Sequence, residues 1–136
     1  MTIKYRFVKK TDQKTLKEII SLYSSQNWWD KTDNIKTLKS ILANSHCFII
    51  ALEKGKIVGI GRAISDNISD AYIQDITVDE NYRKMNIGSE IMKKIILRLK
   101  KDKIKWIGLI AQNNSSAFYK KLGFKIMKNS LPMVKN

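Results

Sequence analysis

From Ile3 to Val8 the chain alternates apolar and polar positions, the two-residue period of a half-buried strand. The period then lengthens: between Asp12 and Ser25, Leu16, Ile19, Ile20 and Tyr23 fall on one face of a helix. Gln26-Asn27-Trp28-Trp29-Asp30 breaks the pattern and reads as a loop. A second helix, from about Asn34 to Asn44, turns Ile35, Leu38, Ile41 and Leu42 inward. Two β-rich runs follow, Cys47 to Glu53 and Lys56 to Ser65, joined by the hairpin signal Lys54-Gly55. Beyond Asp66-Asn67 a third run extends from Ala71 to Asp79. Gly88 to Lys101 has the clearest helical pattern, with Ile91, Ile95 and Leu99 at i, i+4 and i+8 and Met92 and Ile96 beside them. Ile104 to Ala111 reads as a buried strand, Asn114 to Leu122 as a short helix and Phe124 to Met127 as a last strand.

The predicted order is therefore β-α-α-β-β-β-α-β-α-β. Hairpins come first, and one strand–helix–strand crossover runs from Ala71 through Ala111. This describes a mixed, mostly antiparallel sheet with helices packed on it, an α/β or α+β domain rather than a doubly wound one. Gly59 and Gly61 lie inside a predicted strand, where glycine marks close packing or a bulge.

Length and composition narrow the class. With 136 residues, one domain spanning 1–136 is expected. One cysteine, Cys47, and one histidine, His46, exclude a disulfide framework and the usual thiolate or multi-histidine metal centres. The longest apolar run, Cys47 to Leu52, falls far short of the ~20 residues that span a bilayer. Met1-Thr2-Ile3-Lys4-Tyr5-Arg6 carries no apolar signal segment. The expectation is a cytoplasmic protein that uses neither metal nor membrane. The net charge of +14 admits an anionic partner, yet 22 of the 26 basic residues are Lys and lie scattered. Readers of bases and phosphates favour the bidentate fork of Arg. No strand interleaves basic and aromatic residues as single-stranded RNA readers do, so nucleic acid is not the expected partner.

The chemistry concentrates between Val78 and Ser89, where Val78-Asp79-Glu80-Asn81-Tyr82-Arg83-Lys84-Met85-Asn86-Ile87-Gly88-Ser89 joins a strand to the strongest helix. A helix start offers unpaired N–H groups and partial positive charge, which suit a phosphate. Asn86 tolerates a left-handed backbone, Gly88 permits close approach, and Arg83 and Lys84 add charge. From these residues alone the loop is either a phosphate cradle or a plain strand-to-helix turn. The chain has no Gly-x-x-x-x-Gly-Lys-Ser/Thr loop, and Gly59-Ile60-Gly61 lacks the third glycine of a dinucleotide fingerprint.

Arg83-x-x-Asn86-x-Gly88 resembles the Arg/Gln-x-x-Gly-x-Gly/Ala pyrophosphate loop of the GNAT superfamily of acetyl-CoA-dependent N-acetyltransferases. Phe118-Tyr119-Lys120-Lys121-Leu122-Gly123-Phe124 resembles that family's late Phe-Tyr-x-Lys-Leu-Gly-Phe signature, and the two occur in the family's order. Gly59 to Phe124 looks most similar to a branch containing plant plastid arylalkylamine-type acetyltransferases. The resemblance implies a sheet of about six strands flanked by four helices and acetyl-CoA as co-substrate. It implies that pantetheine inserts between the strands Tyr72–Asp79 and Ile104–Ala111, held by backbone groups at Ile76 and Val78. Backbone amides of Lys84, Met85, Asn86, Ile87, Gly88 and Ser89 would then cradle the pyrophosphate, beside the Arg83 side chain. Gln112 falls where many members place an Asn that bonds the pantetheine arm. Tyr119 matches the tyrosine near the CoA sulfur, and Asn86 departs from the family's first glycine.

The expected reaction is direct transfer from acetyl-CoA to a primary amine of a small molecule within a ternary complex. Tyr119 would protonate the leaving thiolate. Asp75 is the candidate to take the amine proton through water, or else it anchors a neighbouring loop; strand alternation puts it on the face of Ile73 and Thr77, opposite Ile76 and Val78. Trp28 and Trp29 are candidates to line the acceptor side, where aromatic faces suit an aromatic or cationic amine. Cys47 has no histidine spaced to activate it, which disfavours an acetyl-cysteine route. Alternatives are acetylation of a protein or peptide amine, a CoA-binding member without turnover, and a basic nucleic-acid module. The resemblance also accommodates a homodimer.

Overall fold

The computed structural model describes residues 1–136. The elements in chain order are β1 (Ile3–Phe7), α1 (Gln13–Ser25), α2 (Ile35–Asn44), β2 (Cys47–Glu53), β3 (Lys56–Ser65), β4 (Asp70–Val78), α3 (Ile87–Lys101), β5 (Trp106–Leu109) and α4 (Ser116–Lys120). A single 3-10 turn, Glu80–Tyr82, precedes α3. The five strands form one sheet in the order β1-β2-β3-β4-β5, antiparallel except for the β4–β5 pair. That pair is joined by α3, the crossover the sequence pattern predicts.

Burial explains why β2 reads as an unbroken apolar run. Cys47, Ile49 and Ala51 face one way, into a core shared with Ile87, Ile91, Ile95 and Leu99 of α3. Phe48, Ile50 and Leu52 face the other way and meet Leu16, Ile19 and Tyr23 of α1 and Leu38 and Leu42 of α2. A strand covered on both faces has no need of polar alternation. The first two helices begin where their caps dictate. Asp12 accepts from Thr15 N–H at 2.8 Å and Asn34 from Thr37 N–H at 3.0 Å, each filling one of the open donors of a first turn. No helix is long and apolar enough to cross a membrane.

Two expectations need correction. The strand predicted over Phe124–Met127 does not form, so the sheet has five strands. Leu122-Gly123-Phe124 instead closes α4: Gly123, at φ 95°, donates to the Lys120 carbonyl and Phe124 N–H to the Tyr119 carbonyl. Those are the paired bonds of a Schellman cap, and they use the Phe124 N–H that a strand would need. Ile126 and Met127 are left exposed. The second correction concerns alternation in β4. Ile60 pairs with Thr77 and Arg62 with Gln74, so Asp75 and Ile76 together oppose Gly61. This bulge puts Ile73, Ile76 and Val78 all on the α3 side and turns Asp75 toward α1, away from Ile73.

Gly59 and Gly61 prove to be packing glycines. A Cβ on Gly61 would lie 2.5 Å from Ile76 Cδ1 and 2.8 Å from Ile91 Cγ2, and one on Gly59 would lie 3.0 Å from Ile91 Cδ1. Their absence of side chains lets α3 settle close against the sheet beside the bulge.

Candidate active site

The β4–β5 pairing runs only from Asp70↔Trp106 to Ile73↔Leu109. Beyond that register β4 continues to Val78 along β3 alone, while β5 has ended. The two chains diverge and leave a cleft of about 980 Å³ between them. Its walls are Gln74 to Val78 on one side and Ile110, Gln112 and Tyr119 on the other, and its floor is the start of α3. The bulge at Asp75 and Ile76 and the early end of β5 together create the opening.

At the floor, the loop before α3 is built to present amides. Lys84 and Asn86 both adopt left-handed backbone, at φ 63° and 65°. Asn86 caps α3 without a side-chain bond, and the first amide to find a helical partner is that of Glu90, which donates to the Asn86 carbonyl. From Arg83 through Ser89 no amide donates to another protein group. Alternating left-handed residues make such a run converge into an anion-binding concavity, and the helix start adds its partial positive charge. Arg83, Lys84 and Lys121 bring full charges to the same cleft. Gly88 lies where its hydrogen faces Phe118 of α4; a Cβ there would sit 3.4 Å from Phe118 Cζ. That contact fixes α4, and with it Tyr119, against the start of α3.

Tyr119 is half-buried, its ring edge-on to Phe118 at 4.9 Å and to Phe124 at 6.1 Å. Its hydroxyl bonds no protein group, and burial raises its pKa above the usual phenol value, so it stays a proton donor at neutral pH. Gln112 is exposed on the same wall as Tyr119, across the cleft from β4. Its backbone carbonyl accepts from Ser115 N–H at 3.1 Å and Ser115 Oγ at 2.6 Å, and its side-chain amide bonds no protein group.

Asp75 occupies the bulge at φ 60°, a left-handed backbone that Asp tolerates better than most L residues and that partners of its carboxylate can hold in place. Two donors do so. Arg62 Nε reaches Asp75 Oδ2 at 2.6 Å and the Tyr23 hydroxyl donates to the same oxygen at 2.8 Å. The pair is about four-fifths buried, with side-chain exposures of 18% for Arg62 and 20% for Asp75. The rest of the guanidinium donates to Ser45 Oγ and Gln74 Oε1. Burial first, then the negative charge of Asp75, raise the Tyr23 pKa far above 10. Trp28 and Trp29 both lean on the Tyr23 ring, with centroids 6.2 Å and 5.9 Å away.

The structure thus brings Ile76, Val78, Arg83, Lys84, Asn86, Ile87, Gly88, Ser89, Gln112, Tyr119, Asp75 and Trp28 to one cleft. Two expected residues stay outside its lining: the Met85 side chain is exposed, and Trp29 packs with the α1–α2 core. His46 is remote, held between Asn67 and Asp102 at the far end of α3. Cys47 is buried, and burial pushes its thiol up to about 11, which keeps it protonated. Arg62 and Tyr23 escape sequence reasoning. The one available signal was a charged residue inside the apolar run Ile57 to Ile64.

A protein-family model of the GNAT acetyltransferase domain matches residues 10–134. The chain belongs to that family. Among curated relatives, the uncharacterized N-acetyltransferase ycf52 of Pyropia yezoensis is 33% identical over 113 residues, covering 80% of this chain. The chain spans 64% of that relative's length. Among solved structures, a GNAT family acetyltransferase from Streptococcus pneumoniae superposes with a TM-score of 0.80 at 24% identity, covering 99% of this chain and 98% of its own. A predicted acetyltransferase from Clostridium acetobutylicum, solved with acetyl-CoA, has a TM-score of 0.76 at 20% identity and covers 98% and 96%.

Proposed function

We propose that this protein transfers the acetyl group of acetyl-CoA to a primary amine of a small molecule, by direct attack within a ternary complex. The observation that supports this best is the uninterrupted run of free amides from Arg83 to Ser89 at the base of the opened β4–β5 pair. That combination suits a ligand with an anionic pyrophosphate head and a narrow amide-bearing arm. The family's acetyl-CoA has both, and a related structure is solved with it. When bound, it supplies an activated thioester carbonyl.

The residues divide the work. The amides of Lys84 to Ser89 hold the diphosphate, with Arg83 and Lys84 as flanking charges. Backbone groups of Ile76 and Val78, free of a β5 partner, hold the pantetheine arm as a further strand would. The Gln112 amide bonds the same arm from the other lip. An alkyl amine with a pKa near ~10 is neutral in about one molecule in a thousand at pH 7, so the site must accept a proton before attack. Asp75 is the carboxylate in the cleft and takes that proton through water. Tyr119, kept protonated by burial, donates to the departing sulfur. Trp28 lines the acceptor side, where a ring face attracts a cation.

The test is calorimetric titration with acetyl-CoA against adenosine diphosphate, followed by an amine panel read by free-thiol release. Micromolar acetyl-CoA binding well above the control, with thiol release on amine addition, is expected. No binding at millimolar acetyl-CoA would overturn the reading.

A further inference from the structure

The amides from Arg83 to Ser89 make no bonds within the protein, so their arrangement has to be set from the two ends of the run. At the helical end Ile87 is sunk in the core beneath α3, and Glu90 N–H closes on the Asn86 carbonyl. At the strand end the last tied residue is Tyr82. Its N–H donates to the Asp79 carbonyl at 2.8 Å, and Asp79 N–H donates to the Val58 carbonyl of β3 at 2.9 Å. Asn81 N–H on Asp79 Oδ1, at 2.9 Å, tightens the same 3-10 turn.

Tyr82 also reaches beyond this turn. Its ring packs against the core on the α3 side, and its hydroxyl donates to Glu53 Oε1 at 3.1 Å. Glu53 lies 29 positions earlier in the chain, at the end of β2. There it is itself held, paired with Ile3 of β1 on one side and Lys56 of β3 on the other. The bond therefore joins a well-paired strand end to the residue just before the free amides begin. Tyr82 lines the same cleft as those amides.

We infer that Tyr82 and Glu53 are positioning residues for the diphosphate-binding loop, their bond fixing where the free amides from Arg83 onward converge before any ligand arrives. This role rests on the acetyl-transfer reading of the cleft, and it adds two residues that touch none of the reacting atoms. Without the bond the loop samples other arrangements, and affinity falls by the fraction of molecules left in the binding one. Only the diphosphate end of the ligand feels that loss. The pantetheine arm, held by the β4 backbone, does not.

The test compares acetyl-CoA with pantetheine, which keeps the arm and lacks the diphosphate. Acetyl-CoA is titrated by calorimetry and pantetheine by amide NMR shifts, with thermal melts to follow folding. The chains are the natural one, Tyr82→Phe, Glu53→Gln, Glu53→Leu, and Tyr82→Phe combined with Glu53→Leu. Phe keeps the packed ring and removes only the hydroxyl. Tyr82→Phe should weaken acetyl-CoA about fivefold, within the net weight of one hydrogen bond, and leave pantetheine unchanged. Glu53→Gln removes the charge and keeps an acceptor, so its acetyl-CoA affinity should stay within about twofold of the natural chain. Glu53→Leu should match Tyr82→Phe, and the combined variant should be no weaker than either, since both changes delete one bond. Unchanged acetyl-CoA affinity in Tyr82→Phe, losses that multiply in the combined variant, or equal losses for pantetheine would overturn the role. A natural chain that does not bind acetyl-CoA would overturn the acetyl-transfer reading itself, and this role with it.

Discussion

Tyr119→Phe separates chemistry from folding more cleanly than any other change in this site. The hydroxyl bonds no protein group, so its removal breaks no internal hydrogen bond, and Phe keeps the edge-on contacts with Phe118 and Phe124. The stability change should stay within about 0.5 kcal/mol, the range of substitutions that touch no packing or buried bond. Catalysis should respond very differently. A positioned general acid contributes about 10²–10⁴-fold, so the barrier should rise by roughly 3–5 kcal/mol. Acetyl-CoA affinity should hardly move, because the amides of the α3 loop and the β4 backbone carry binding. The assay is steady-state thiol release at saturating acetyl-CoA, with a thermal melt and a calorimetric titration on the same preparation. A fall in kcat of less than about threefold, with stability and binding intact, would remove Tyr119 from proton transfer. A large loss of stability would refute the claim that its hydroxyl stands free.

Three further outcomes follow from the geometry. Gly61→Ala places a methyl 2.5 Å from Ile76 Cδ1 and 2.8 Å from Ile91 Cγ2, so urea denaturation should show a loss of about 1–3 kcal/mol, the cost of overpacking. Asn86→Val forces a β-branched residue to φ 65° and should weaken acetyl-CoA binding in calorimetry by about tenfold, while Asn86→Gly should bind at least as tightly as the natural chain. Burial raises the folded-state pKa of Tyr23 and Tyr119, so the unfolded chain releases those protons first. Stability is therefore whole below pH 10 and falls as pH rises above it, and Tyr23→Phe should make the alkaline limb of a denaturation series shallower.

Local chemistry determined much of this protein. The 3.6-residue pattern of Ile91, Ile95 and Leu99, the caps at Asp12 and Asn34, and the Lys54-Gly55 hairpin are short-range effects, and the elements stand where those effects put them. The loop from Arg83 to Ser89 was legible for the same reason: its left-handed Asn86 and open amides are properties of one contiguous segment. Where pattern misled, a longer-range partner had intervened. Phe124 was spent on capping α4 rather than on pairing with β5. Asp75 left its expected face because Gly61, on another strand, opposes two residues at the bulge. The meeting of Tyr23, Arg62 and Asp75 joins three elements, with Tyr23 and Asp75 52 positions apart in the chain. No periodicity encodes such a meeting. It arises only when α1 packs across the sheet and closes a partly buried ion pair, in surroundings where a lone charge would be costly.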